Sequence, residues 1–118
     1  MFNILLIGDN PEIARLTARI ISRNGFNVKI ITDSDEIPTL KPSLLIFDCG
    51  LSPEAGFKRY EKLIRYCFQS KILWISSNAQ DEIQALEMGA DDWIKKPFHM
   101  DIFIARIKKL CYKTIKIS

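Results

Sequence analysis

Along the chain, short and nearly continuous apolar runs alternate with segments whose apolar residues recur at helical spacing. Residues 2–7 form the first such run. A run that does not alternate is the pattern of a strand covered on both faces. Similar runs at residues 44–47 and 72–75, with 26–32 (Val28, Ile30 and Ile31 as its apolar content) and the short pair Trp93 and Ile94, predict five strands. Between them, Asn10 followed by Pro11 reads as a helix start, with Asn as N-cap and Pro at the first helical position. Ile13, Leu16, Ile20 and Ile21 are the expected inward stripe of that helix, and Gly25 ends it. Residues 33–42 carry Pro38 inside and Pro42 at the end, which leaves room for about a turn or two of helix. A helix over 56–68 would turn Tyr60, Leu63, Ile64 and Cys67 inward. Another runs to Met88 and stops at Gly89. After Pro97, the last helix places Phe103, Ile107 and Leu110 on one stripe. Five strands alternating with five helical segments, the second much reduced, predict an α/β fold with a parallel sheet and helices on both faces.

In such a sheet, ligand chemistry lies beyond the carboxyl ends of the strands, where the strand order reverses. Four predicted strands end there in a polar group: Asp9 after the first, Asp48 after the third, Ser76 after the fourth and Lys96 after the fifth. Taken singly, each has an ordinary explanation. Asp9 and Ser76 suit turns or caps, and Lys96 a solvated loop. Their joint placement is what carries meaning. Two carboxylates, a hydroxyl and an ammonium can bind a hard divalent cation through oxygens and neutralise an anion. A carboxylate facing a lysine also suits attack on a phosphoryl group, whose developing charge the two cations can share.

Composition narrows the setting. The 118 residues allow one ordinary domain, and 47% hydrophobic with 26% charged residues is the balance of a globular protein. No apolar run approaches the roughly 20 residues of a membrane span, and the first run lacks the layout of a signal peptide, so the chain reads as cytoplasmic. Cys49, Cys67 and Cys111 show no CxxC spacing and cannot all pair, which fits a reducing compartment, and with a single histidine they argue against structural zinc. Cys49 reads as a small inward residue rather than a redox centre. The net charge of +3 is mild, and the cluster Arg106, Lys108, Lys109, Lys113 and Lys116 reads as a solvated helix face rather than a nucleic-acid contact.

Three segments carry a family resemblance that covers essentially the whole chain: residues 4–13 (ILLIGDNPEI), 44–48 (LLIFD) and 89–98 (GADDWIKKPF). Together they resemble a two-component response-regulator receiver domain. With Ile104, Ala105, Arg106 and Ile107 following, the chain is similar to the OmpR/PhoB class, which joins a receiver to a winged-helix DNA-binding domain. The resemblance implies a flavodoxin-like (CheY-like) doubly wound sheet of order 2-1-3-4-5 with a shortened second helix, residues 1–118 forming the receiver. It implies that Asp48 accepts a phosphoryl group from a histidine kinase. Mg²⁺ would be held by Asp9, Asp48 and the Gly50 backbone carbonyl. Ser76 would hydrogen-bond the phosphoryl group, Lys96 would pair with it, and Trp93 would stand as the switch aromatic. The output face would be the fourth helix, fifth strand and fifth helix. The domain would be a signalling switch rather than an enzyme, and DNA would be bound only through an effector domain absent from these residues.

The sequence departs from that family at informative points. Gly8 stands where the first of two adjacent acidic residues is normal, which predicts weakened rather than abolished Mg²⁺ binding. Asn10 could lend an oxygen to the metal, although an N-cap duty suits it better. The loop after the fourth strand is shorter than usual. On the expected dimer face, Asp91 or Asp92 could pair with Arg106, but Ile102 replaces the usual Glu and Gln84 sits near where its basic partner would be. Ile102 lies off the inward stripe, so a small apolar contact would replace that bridge. The alternative reading is a pseudo-receiver, a phosphorylation-independent dimerisation or protein-interaction module with decayed metal chemistry. A flavodoxin-type cofactor binder is excluded, because the first loop lacks a Ser/Thr- and Gly-rich phosphate cradle and carries an aspartate. Since receivers of this class ordinarily continue into a linker and effector, the length suggests part of a longer protein rather than a stand-alone receiver.

Overall fold

Five strands form where the apolar runs lie: β1 (Asn3–Gly8), β2 (Asn27–Ile31), β3 (Leu44–Asp48), β4 (Lys71–Ser76) and β5 (Asp92–Lys95). The computed structural model describes residues 3–8, 10–31, 42–48, 58, 61, 65 and 69–112. All strand pairs are parallel, in the order β2-β1-β3-β4-β5, as expected. Three helices lie wholly among the described residues: α1 (Pro11–Arg23), α2 (Asp81–Glu87) and α3 (Met100–Tyr112); Lys58 and Glu61 are also helical. The predicted short helix within 33–42 and the inward residues Tyr60, Leu63, Ile64 and Cys67 fall outside the described residues, as does Cys49.

The reason for the unbroken apolar runs is visible in the packing. Ile4, Leu6, Leu44, Ile46, Leu73 and Ile75 point to one face, where α1 and α3 cover them. Leu5, Ile7, Leu45, Phe47, Ile72 and Trp74 point to the other, beside Ala85 of α2 and Ala90. The three central strands are therefore apolar at nearly every position. On β2, an edge, exposed Asn27 and Lys29 alternate with part-buried Val28 and Ile30 before buried Ile31. Phe47 stacks on Trp74 with ring centroids 5.0 Å apart.

Local signals set the helix ends. The Asn10 side-chain oxygen accepts from the backbone N–H of Glu12 at 3.0 Å and of Ile13 at 3.2 Å, with Pro11 opening α1. Asn10 is thus committed as a cap. Gly25 and Gly89 lie at φ of 90° and 101°, where a side chain would be strained, and the helices stop there. Along α3, Phe103, Ile104, Ile107, Leu110 and Cys111 are buried, which extends the expected stripe.

The predicted stripe of α1 is corrected. Ala14, Thr17 and Ile21 are its buried residues, with Ala18 and Ile20 packed at the margin, while Ile13 is 43% and Leu16 59% exposed. The cause is a close approach of helix and sheet: a Cβ built on Gly8 would meet the Ala14 Cβ at 3.6 Å. Ala14 and Thr17 suit that contact better than Ile13 and Leu16 would, while Ile21 on the same face is buried a turn further on.

Burial has a chemical consequence at Cys111. Its thiol is buried, and desolvation pushes its pKa up from 9.0 to about 11. The folded protein keeps a proton that the unfolded chain releases above pH 9.0, so this contribution to stability is complete below that pH and is lost as the pH rises through about 11. Peptide mapping after iodoacetamide treatment at pH 8 is expected to show Cys111 reacting about 100-fold more slowly in the folded than in the unfolded chain. A Cys111→Ala variant should lose the alkaline decline assigned to this thiol.

Candidate functional site

The carboxyl ends of the central strands meet at one edge of the sheet. Gly8 is in register with Asp48, and Asp48 with Ile75, one residue short of Ser76. At the far side, the Lys96 backbone N–H donates to the Ser76 carbonyl at 2.9 Å, extending β5's attachment to β4. This anchoring sends the Lys96 side chain back across the edge, where its Nζ lies 2.7 Å from Asp48 Oδ1. Asp48 and Lys96, separated by nearly half the chain, thus form an ion pair across two strands. The Asp48 side chain is only 11% exposed, and the Lys96 side chain 28%. Oδ1 itself is buried, and its contact with Nζ falls short of hydrogen-bond geometry. Oδ1 therefore has Coulomb compensation but unused acceptor capacity.

Gly8 borders this carboxylate. A Cβ at position 8 would meet the Asp48 Cβ at 3.9 Å, an ordinary contact, and its backbone does not lie in the left-handed region. Position 8 has room for a Cβ, which would sit between the Ala14 Cβ at 3.6 Å and the Asp48 Cβ at 3.9 Å. The absence of an acid here is a property of the sequence and not a demand of the fold. Asp9 and Gly50, the other expected metal donors, lie outside the described residues, and among those described no group of three or more His, Cys, Asp or Glu gathers.

Ser76 ends β4 with 1% exposure. Its hydroxyl lies 2.9 Å from Asp81 Oδ2 and 3.0 Å from the Asn78 carbonyl, both acceptors, while the Asn78 N–H donates to Ser76 Oγ at 3.1 Å. None of its hydrogen bonds reaches Asp48. Sequence reasoning brought Ser76 to the edge but missed Asp81, which looks like an ordinary first-turn acid. Only the i to i+5 spacing from Ser76, across a tight loop, hinted at contact.

Trp93 is half-buried on β5 and in register with Trp74, so a row of aromatic side chains runs Phe47, Trp74, Trp93 across the sheet just beneath the edge. The Trp93 indole nitrogen is buried without a hydrogen-bond partner.

The acids of the predicted dimer face are engaged within the chain. Arg106 Nη1 donates to both Asp92 oxygens at 2.9 Å, tying α3 to β5. Asp91 instead clamps the start of β4: its Oδ2 accepts from the Ile72 N–H at 2.7 Å and its own N–H donates to the Ile72 carbonyl at 2.8 Å. Ile102 is 46% exposed, and Ile83 and Leu86 of α2 are likewise exposed large apolar residues.

A family profile described as the response regulator receiver domain matches residues 4–108. The chain belongs to this family. The receiver domain is 32% identical over 120 residues to the transcriptional regulatory protein YvcP of Bacillus subtilis, covering 97% of this chain and 50% of that protein. It is 34% identical to the transcriptional regulatory protein GltR of Pseudomonas aeruginosa, covering 92% of this chain and 48% of that protein. The chain therefore spans about half the length of the curated relatives it matches. Solved structures share its fold: the response regulator DrrB of Thermotoga maritima, an OmpR/PhoB homologue (TM-score 0.79, 20% identity, 97% of this chain and 54% of that one); a Burkholderia pseudomallei response regulator with a phosphorylated aspartic acid and a calcium ion (0.78, 24%, 98% and 71%); and TrrA of Thermotoga maritima with Mg²⁺ and beryllofluoride (0.75, 20%, 93% and 99%). No helix among the receiver domain's described residues is long and apolar enough to cross a membrane.

The Asp91 clamp is open to direct measurement. Asp91→Ala removes the acceptor of the Ile72 N–H and is expected to lower the unfolding free energy by about 1–3 kcal/mol in denaturant titration.

Proposed function

We propose that this receiver domain takes a phosphoryl group onto Asp48 from the phosphohistidine of a sensor histidine kinase in the cytoplasm. In turn it would change the face formed by α2, β5 and α3, regulating transcription through an effector domain outside these residues. The observation that carries this reading is the Asp48–Lys96 ion pair at the carboxyl edge of the sheet. In the reaction, a carboxylate oxygen of Asp48 forms a bond to phosphorus as the P–N bond of the donor breaks. The leaving imidazole keeps that electron pair and gains a proton from solvent. Lys96, already at 2.7 Å, compensates charge on the phosphoryl oxygens as they replace its carboxylate partner. The domain supplies its own acceptor and does not turn over as an enzyme does.

A hard divalent cation suits the donor set, since Asp48 Oδ1 keeps unused acceptor capacity in a buried site. We assign its ligands as Asp48, Asp9 and the Gly50 carbonyl, with Mg²⁺ as the ion; when bound it would shield negative charge between acceptor and donor. The relatives with Mg²⁺ or calcium support this assignment by analogy. Gly8 leaves the site one carboxylate short, which weakens cation binding without removing the direct ligands. Trp93 is the aromatic whose packing would follow the state of Ser76. Asp91, Asp92, Ile102 and Arg106 would line a homodimer contact. With Asp92 and Arg106 paired inside the chain, its main attraction would come from Ile102.

Incubation with Mg²⁺ and a small phosphodonor, read by intact mass, is expected to add one phosphoryl group to the wild type and none to Asp48→Asn. A failure of the wild type to accept phosphate would favour the interaction-module alternative. Gly8→Asp, whose Cβ makes only ordinary contacts at position 8, is expected to tighten Mg²⁺ binding about tenfold in a fluorescence titration. For the dimer, Ile102→Glu should weaken self-association by about tenfold in analytical ultracentrifugation of the beryllofluoride-treated protein; unchanged association would remove Ile102 from the contact.

A further inference from the structure

Ser76 Oγ carries a single proton and sits between two acceptors, Asp81 Oδ2 at 2.9 Å and the Asn78 carbonyl at 3.0 Å. Both Ser76 and Asp81 are buried, at 1% and 8% exposure, so water does not compete freely for either. A hydrogen bond from a hydroxyl to a buried carboxylate is among the stronger kinds, and a buried carboxylate that loses its donor is costly. Asp81 is also the first residue of α2, and its N–H donates to the Asn78 carbonyl at 3.0 Å. The end of β4, the loop and the first turn of α2 are therefore closed on one another through Ser76.

We propose that Asp81 is a positioning residue for the switch: it holds the Ser76 hydroxyl in the loop between β4 and α2, and this hold opposes the active state. The inference rests on the reading of Asp48 as phosphoacceptor. A phosphoryl group on Asp48 would be a third acceptor for one proton, so Ser76 reaches it only by giving up Asp81. The freed carboxylate must then find water or a new donor, and because it opens α2, that adjustment falls on the helix. The same bond that restrains Ser76 thus couples the site to the surface carrying Ile83 and Leu86.

The test is a double-mutant cycle on the full chain with beryllofluoride and Mg²⁺ as probe, read by tryptophan fluorescence and checked by intact-mass phosphorylation. Wild type, Asp81→Asn, Asp81→Ala, Ser76→Ala and the double variant Ser76→Ala with Asp81→Asn are compared, with thermal unfolding confirming that each is folded. Asp81→Asn keeps the side-chain shape and removes the charge; Asp81→Ala removes the acceptor. Both are expected to bind beryllofluoride about tenfold more tightly than wild type, and Asp81→Asn should have no effect once Ser76 is alanine. A response from the Asp81 variants alone, with a silent wild type, would also support the hold. Unchanged or weaker binding in the Asp81 variants beside a responding wild type overturns the hold and leaves the phosphoacceptor reading intact. Tightening that persists in the Ser76→Ala background assigns the effect to α2 rather than to Ser76 and overturns it likewise. Silence in every protein, with no phosphoryl group added, overturns the phosphoacceptor reading and this inference with it.

Discussion

Burial of β1, β3 and β4 on both faces is the constraint from which the rest of the molecule follows. A strand with helices on either side cannot alternate apolar and polar residues, and its backbone hydrogen-bonding groups, hidden from water, must pair with neighbouring strands on both sides. The order β2-β1-β3-β4-β5 meets that demand with the edges given to β2 and β5. Because all strands run the same way, their carboxyl ends share one edge. The first residues free of the apolar requirement are those that end the strands, and there Asp48, Ser76 and Lys96 stand.

At that edge, charge is handled by pairing. Asp48 and Lys96 compensate each other across the sheet, and Ser76 and Asp81 satisfy each other in the adjoining loop. A buried pair of this kind adds little net stability compared with apolar packing, yet breaking it by removing one member is costly. Such contacts therefore define discrete arrangements rather than a soft continuum. A phosphoryl group arriving at Asp48 would disturb the first pair directly and compete for the hydroxyl of the second.

Gly8 and α1 show how site and packing share the same space. The close approach of α1 to the end of β1 turns Ala14 and Thr17 inward and leaves Ile13 and Leu16 exposed. Position 8 nevertheless accepts a Cβ at ordinary contact distance from Ala14 and Asp48. The reduced acidity of the site is thus separable from the packing around it, and the fold does not require a glycine there.

Much of this was legible from the sequence. Continuous apolar runs mark doubly covered strands, Asn10 with Pro11 marks the start of α1, and Gly25 and Gly89 mark its end and that of α2, because each signal is local. The polar residues ending the runs could be named for the same reason. What locality does not contain is which side of α1 meets the sheet, since Ala14, Thr17 and Ala18 form a stripe as regular as the bulkier one and only the approach distance chooses between them. Nor does it contain partners: Asp48 finds Lys96 through the strand order, Ser76 turns to Asp81 through the fold of a short loop, and Asp91 takes the Ile72 N–H while Asp92 takes Arg106. Hydrogen bonds and ion pairs act over a few ångströms, so residues far apart in the chain acquire them only when the tertiary structure sets the distance.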